Sequence, residues 1–193
     1  MFKTVFKSLT AGVSCLGLAA APALAQGAGA IVYTVVIPAG EFGSAAFLAE
    51  LLGALAAAKA FCRATGDSAL QVDCLSERLD AAAAGIPKGT DYDEVRGVLQ
   101  EASGRLKRLA RQNRDPDRRR VTVTSATNPA ERTTRPLTPV SAAAQGAVNR
   151  QAVQILEEAA TILLRSAEEA QERQNQYAQI AGAIDSNKVL LRS

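Results

Sequence analysis

Cys62 and Cys74 stand twelve residues apart in a stretch whose composition is otherwise helical, and that spacing constrains the fold more than any other feature of the chain. On one continuous helix, at about 1.5 Å per residue, their Cα atoms would lie roughly 18 Å apart. A disulfide needs about 5.5 Å. If the two are joined, the chain must reverse between them, and Thr65-Gly66-Asp67-Ser68 supplies the means: Gly66 ends one helix, Asp67 or Ser68 caps the next, and Gln71 completes a capping box from Ser68. The expected unit is a helical hairpin closed by a staple, worth on the order of 3 kcal/mol by loop entropy. A redox-active pair would call for C-x-x-C spacing, which is absent.

Whether the cysteines are joined depends on compartment, and residues 1–25 address that question. Lys3 and Lys7 form a positive n-region, Leu9 to Ala21 an apolar h-region, and Ala23-Leu24-Ala25 an A-x-A cleavage site. The expectation is a secretory signal peptide cleaved after Ala25, and hence a protein of the periplasm or the secreted fraction, where an even pair of cysteines oxidises. Lipidation at Cys15 fits less well, because Gly12 stands where a leucine-like residue is wanted. The apolar run from Leu9 to Ala25 also falls short of the roughly 20 residues that span a bilayer.

Taking the leader's two lysines from the 22 basic residues of the chain leaves 20 against 19 acids, so residues 26–193 carry a net charge of only +1. Global charge therefore gives no reason to expect nucleic-acid binding. Histidine is absent, which removes Ser-His-Asp and Cys-His catalysis and His-ligated zinc or haem by residue type. Tryptophan is absent too. The aromatics after the leader are Tyr33, Phe42, Phe47, Phe61, Tyr92 and Tyr177, too few for a site built on stacking. No dinucleotide fingerprint, P-loop or EF-hand loop occurs, so no catalytic, cofactor-binding or metal-binding residue is assigned and no cofactor is expected.

Ala30 to Ile37 is rich in β-branched residues and predicts a strand or extended segment; Val121-Thr122-Val123-Thr124 is the other candidate, and together they would make at most a two-stranded ribbon. From about Ser44 to Arg63, Phe47, Leu48, Leu51, Leu52, Leu55 and Phe61 predict a core helix flanked on both sides. A second helix runs from about Ser68 to Ala84 and stops at Gly85 and Pro87. A third opens at Thr90-Asp91-Tyr92-Asp93, where acids suit the positive end of the helix dipole, and continues to about Asn113.

The far end of that third helix is basic. Arg105, Lys107, Arg108, Arg111, Arg114, Arg118, Arg119 and Arg120 face only Asp115 and Asp117 within residues 105–120. Basic residues suit a helix C-terminus by dipole alone. The functional alternative is contact with an anionic envelope surface, phospholipid headgroups or lipopolysaccharide phosphate.

Residues 125–140 hold three prolines and little apolar pattern, and predict a loop or linker. After it, one long helix is expected from about Ser141 to Ala183, over 50 Å at about 1.5 Å per residue, with its polar distal half projecting to pair with another chain. Carboxylate pairs occur at Asp91/Asp93, Glu157/Glu158 and Glu168/Glu169, and paired acids can hydrolyse glycosides, but these sit at a helix start or on polar faces.

The expected fold class is therefore mainly all-α. It comprises a disulfide-stapled hairpin in an irregular helical bundle, with an N-terminal helical part over residues 26–124, the loop 125–140, and a long C-terminal helix within 141–193 packing on the first part. The expected function is non-catalytic: an exported bacterial envelope protein acting by binding an envelope protein or by self-association. A binder of anionic lipid or lipopolysaccharide through Arg105 to Arg120 is the alternative, and a carboxylate-based hydrolase a distant third.

Overall fold

The computed structural model describes residues 44–126, 128–167 and 171–192. The leader, the expected strand at 30–37 and the pair Glu168/Glu169 lie outside these residues. The described chain is helical: α1 (Ala45–Ala64), α2 (Gln71–Ala84), α3 (Asp93–Gln112), α4 (Gln145–Ser166) and α5 (Gln171–Ser186), with short 3-10 turns at Ser68–Leu70 and Asn187–Arg192. The mainly all-α class holds.

The hairpin forms where the cysteines demand it. Ser44 caps α1 by accepting from the amide of Phe47, and Gly66 leaves the helix at φ +66°, a left-handed conformation that glycine adopts without a Cβ clash. Asp67 then caps the 3-10 turn, its Oδ1 accepting from Ala69 N at 3.1 Å, so the cap is Asp67 and the Ser68–Gln71 box does not form. The turn brings Cys62 and Cys74 to a Cα–Cα distance of 5.7 Å, and the disulfide closes. Both cysteines are fully buried.

α2 is the centre of the packing. Seven consecutive residues, Gln71 to Glu77, are buried, so no face of this stretch meets solvent. Its most extensive neighbour is α3. There Ser76 Oγ donates to the carbonyl of Ser103 at 2.9 Å while Ser103 Oγ donates to the carbonyl of Ser76 at 2.8 Å. Small side chains let the helices approach, and the reciprocal bonds satisfy both hydroxyls.

The third face of α2 is covered by the segment expected to be a loose linker. Residues 131–140 form an ordered strap whose Leu137, Thr138, Pro139 and Val140 are buried. Thr134 N and Oγ1 donate to Glu77 Oε1 at 2.8 and 2.9 Å. One turn earlier on α2, Asp73 accepts from Thr138 N at 2.6 Å and from both terminal nitrogens of Arg135 at 2.7 and 2.8 Å. Arg78 joins the latch, donating to Glu77 and to the carbonyl of Arg132, with its guanidinium 4.5 Å from the centroid of the Phe61 ring. The strap's outer edge pairs with Val121 to Thr124 through isolated antiparallel bridges, Val121 with Leu137 and Thr124 with Arg132. Val121 to Thr124 thus finds its extended partner within 125–140.

The single long C-terminal helix is replaced by two. α4 and α5 fold back on each other: Lys188 Nζ lies 2.9 Å from Glu157 Oε1, although on one straight helix 31 residues would separate them by roughly 46 Å. Burial drives the reversal. Tyr177, Ile180 and Ile184 would be stranded on a projecting helix, whereas in α5 all three are buried, with Tyr177 Oη donating to the carbonyl of Asp91 at 2.9 Å and Tyr92 Oη to Gln176 Oε1. Nothing projects from the bundle by this route, so the expected binding role of a free distal helix is corrected.

Glu77 makes the strap sensitive to acid. Burial pushes its pKa up, but hydrogen bonds from Arg78 and Thr134 outweigh that and hold it below the ordinary 4.5. Its contribution to stability is therefore complete above the unfolded pKa and is lost as pH falls through the lower folded value. Glu77→Gln should cost about 1–3 kcal/mol at neutral pH, for it replaces a charged acceptor of several bonds with a neutral one. It should also flatten the decline in urea-unfolding stability below about pH 4.5. An unchanged acid limb in the variant would show that the latch does not carry the pH dependence. Converting both Cys62 and Cys74 to serine should cost on the order of 3 kcal/mol in the same assay.

Candidate functional site

Two surfaces stand out by composition, the basic end of α3 and the outer face of α1. α3 buries Val95, Val98, Leu99, Ala102, Leu106 and Leu109 against α2 and α4, which turns Lys107 and Arg111, one turn apart, to its outer side. The chain leaves the helix at Asn113, whose side-chain amide donates to the carbonyl of Leu109 at 2.9 Å. It is then held against the strap: Asp115 N donates to Pro139 O and Ser141 N to Asn113 O, each at 2.9 Å, and Asp117 N donates to Asp115 Oδ1 at 3.0 Å. Residues 114–120 are a pinned turn.

The eight basic residues divide on this scaffold. Arg105 pairs with Glu158 of α4, Arg108 with Glu101 at 3.4 Å and Arg118 with Asp67. Lys107, Arg111, Arg114, Arg119 and Arg120 have no side-chain partner among the described residues, and all but the half-buried Lys107 are exposed. The Arg118 pair shifts both members: its hydrogen bond holds the Asp67 carboxyl below its usual range and raises the guanidinium.

α1 departs from the expectation of a helix covered on both sides. Phe47, Leu48, Leu51, Leu55, Ala58, Phe61 and Cys62 are buried against α2, α5 and the C-terminal 3-10 turn. Lys59 Nζ reaches Ser186 Oγ at 3.5 Å on one flank. The opposite face is open. Its exposed residues are Ala45, Ala46, Ala49, Gly53, Ala54, Ala56, Ala57, Ala60, Arg63 and Ala64, and the half-buried Glu50, one turn before Gly53 and Ala54, lies on the same face, so Arg63 and Glu50 are its charges. A Cβ built on Gly53 meets nothing within 4 Å. The signal is in the sequence: these small residues recur at three- and four-residue steps opposite the leucines.

Of the acid pairs, Asp93, Glu157 and Glu158 are engaged in structural contacts. Asp93 accepts from Gly89 N at 2.9 Å and pairs with Arg96 at 2.9 Å, where the left-handed Gly89, at φ +75°, turns the chain into α3. Glu157 pairs with Lys188 and Glu158 with Arg105, on separate flanks of α4. Among the described residues no three Cys, Asp or Glu side chains gather as metal ligands would. Burial, with the charge of Glu94 nearby, pushes the Tyr177 hydroxyl up to about 12, so it stays protonated as a donor to Asp91 O.

Arg118→Gln tests the pair at the root of the basic turn. Both partners are more than a third or nearly a third exposed, so the melting temperature should hardly move. The titration midpoint of Asp67, followed by NMR, should rise toward 3.8. A midpoint that stays put would locate the shift in the Ala69 amide alone.

Compared with protein-family models, characterised proteins and solved structures, the chain finds no match in any of the three.

Proposed function

We propose that this chain is a non-catalytic helical protein of the bacterial envelope, exported by its leader and working by protein–protein association through the outer face of α1. The observation that carries the reading is the composition of that face. A solvent-facing helix surface ordinarily bears lysine, glutamate and glutamine. α1 instead exposes nine alanine and glycine residues, with one arginine near its end and one half-buried acid, Glu50, among them. Small side chains bring two backbones close enough for long rows of dispersion contacts, and a surface made mostly of alanine leaves few charges to be desolvated. The partner is a second apolar helix, from another envelope protein or from a second copy of this chain. The role first expected of the C-terminal helix passes to α1, because α5 is folded into the core.

A non-catalytic role is supported by the engaged acids at the start of α3 and on α4 and by a chain without histidine. The test uses changes that the monomer tolerates. Gly53→Glu and Ala57→Glu place charges on exposed helical positions, where the fold loses little. Circular dichroism should be unchanged, while sedimentation or co-purification from the envelope should show the complex gone. Gly53→Ala separates the two effects further. It should raise unfolding stability by roughly 0.5–1 kcal/mol through helix propensity while loosening any contact that needs close backbone approach. The same oligomer and the same co-purifying proteins in the glutamate variants would defeat the reading.

A further inference from the structure

We infer that Lys107, Arg111, Arg114, Arg119 and Arg120 form a docking surface for an anionic phospholipid bilayer, independent of the α1 face. Once the pairs Arg105–Glu158, Arg108–Glu101 and Arg118–Asp67 are set aside, these five cations remain with only Asp115 and Asp117 among them. They are concentrated on the last turns of α3 and the eight residues after it, although residues 26–193 are close to neutral. The turn is fixed by the strap and by Arg118, so the charges are displayed on a rigid base and little ordering is needed at contact.

Several features select a bilayer among anionic partners. None of the five side chains is buried, and four are exposed, so they are open to an extended anionic surface and line no enclosed site. Val121, 42 % exposed, and the exposed Pro116 lie in the same stretch as Arg119 and Arg120, adding apolar groups beside the charges that headgroup contact can bury. The aromatics of the described residues, Phe47, Phe61, Tyr92 and Tyr177, are all buried, which leaves no stacking platform for the bases of a single strand. A cationic patch on a nearly neutral protein attracts an anionic leaflet over about 8 Å at physiological ionic strength and binds it through many weak contacts.

Co-sedimentation of the purified protein with vesicles tests this. Vesicles containing phosphatidylglycerol should bind it, with affinity falling as salt rises, and vesicles of phosphatidylcholine alone should not. The variant Arg111→Gln, Arg114→Gln, Arg119→Gln, Arg120→Gln should lose about a thousandfold in partitioning, from roughly 1 kcal/mol per basic residue and 1.4 kcal/mol per tenfold. A second variant, Lys88→Gln, Arg150→Gln, Arg165→Gln, Arg192→Gln, removes the same charge from exposed positions elsewhere and should bind as the parent does. Circular dichroism of both variants fixes that they are folded. Absence of binding, equal binding to the two lipids, or equal loss in both variants would overturn the inference. Displacement by pyrophosphate at constant ionic strength would do so as well, by pointing to a discrete phosphate site. Vesicle binding kept by Gly53→Glu with association lost would separate this surface from the α1 reading.

Discussion

Two acids inside α2 set the terms for the rest of the molecule. Asp73 is fully buried and Glu77 nearly so, one turn apart on a helix whose seven residues from Gln71 to Glu77 see no solvent. An uncompensated buried carboxylate costs several kcal/mol, so the fold must deliver cations and amides to both. It does so from one segment, whose amides at Thr134 and Thr138 and guanidinium at Arg135 meet the acids in register. Four residues of extended strap would span roughly 13 Å, against about 6 Å for one helical turn. The strap therefore has to bend between its two anchors, and Pro136 lies in that interval. With the latch made, the Gln71–Glu77 stretch of α2 is covered by α1 through the disulfide, by α3 through the Ser76–Ser103 exchange, and by the strap through the acids.

What the sequence disclosed were the parts of this arrangement governed by local rules. The reversal at Gly66, the disulfide, the stop at Gly85 and the run of α3 all follow from spacing, capping and periodicity within about twenty residues. The strap did not follow. Its partners on α2 are about sixty residues away, and Asp73 and Glu77 have the look of solvated helix charges until Arg135 and the two threonine amides are known to meet them. Proline content also misled, since Pro139 and its neighbours carry the strap across a buried surface rather than through solvent. Proline lacks an amide donor, and that is tolerable here because the latch uses the amides of Thr134 and Thr138.

The break between α4 and α5 illustrates the opposite limit. No glycine or proline interrupts residues 147–181, and the alanine, glutamate and glutamine there favour helix, so local propensity argues for continuation. A continuous helix would leave Tyr177, Ile180 and Ile184 without a core. Burying those three is worth several kcal/mol at roughly 1.5–3 kcal/mol each, more than the loss of a few helical hydrogen bonds at the turn. Tertiary burial outweighs propensity, and the decisive residues lie well beyond the break.

The two candidate surfaces obey different physics and were unequally visible. The basic residues could be counted in the sequence, but not which of them are already neutralised. Arg105 is matched to Glu158 across fifty-three positions and Arg118 to Asp67 across fifty-one, and only the folded chain separates these from the five that remain. The α1 face could be derived from spacing, yet its openness depends on which neighbours arrive, and α2, α5 and the C-terminal turn all pack on the leucine side. Salt distinguishes the two in use. An alanine face gains as excluded salts such as sulfate strengthen apolar burial, whereas an arginine surface weakens as the Debye length shrinks from about 10 Å at 0.1 M to 3 Å at 1 M. If both proposed contacts form, rising salt should release an anionic membrane while an apolar protein contact through α1 persists.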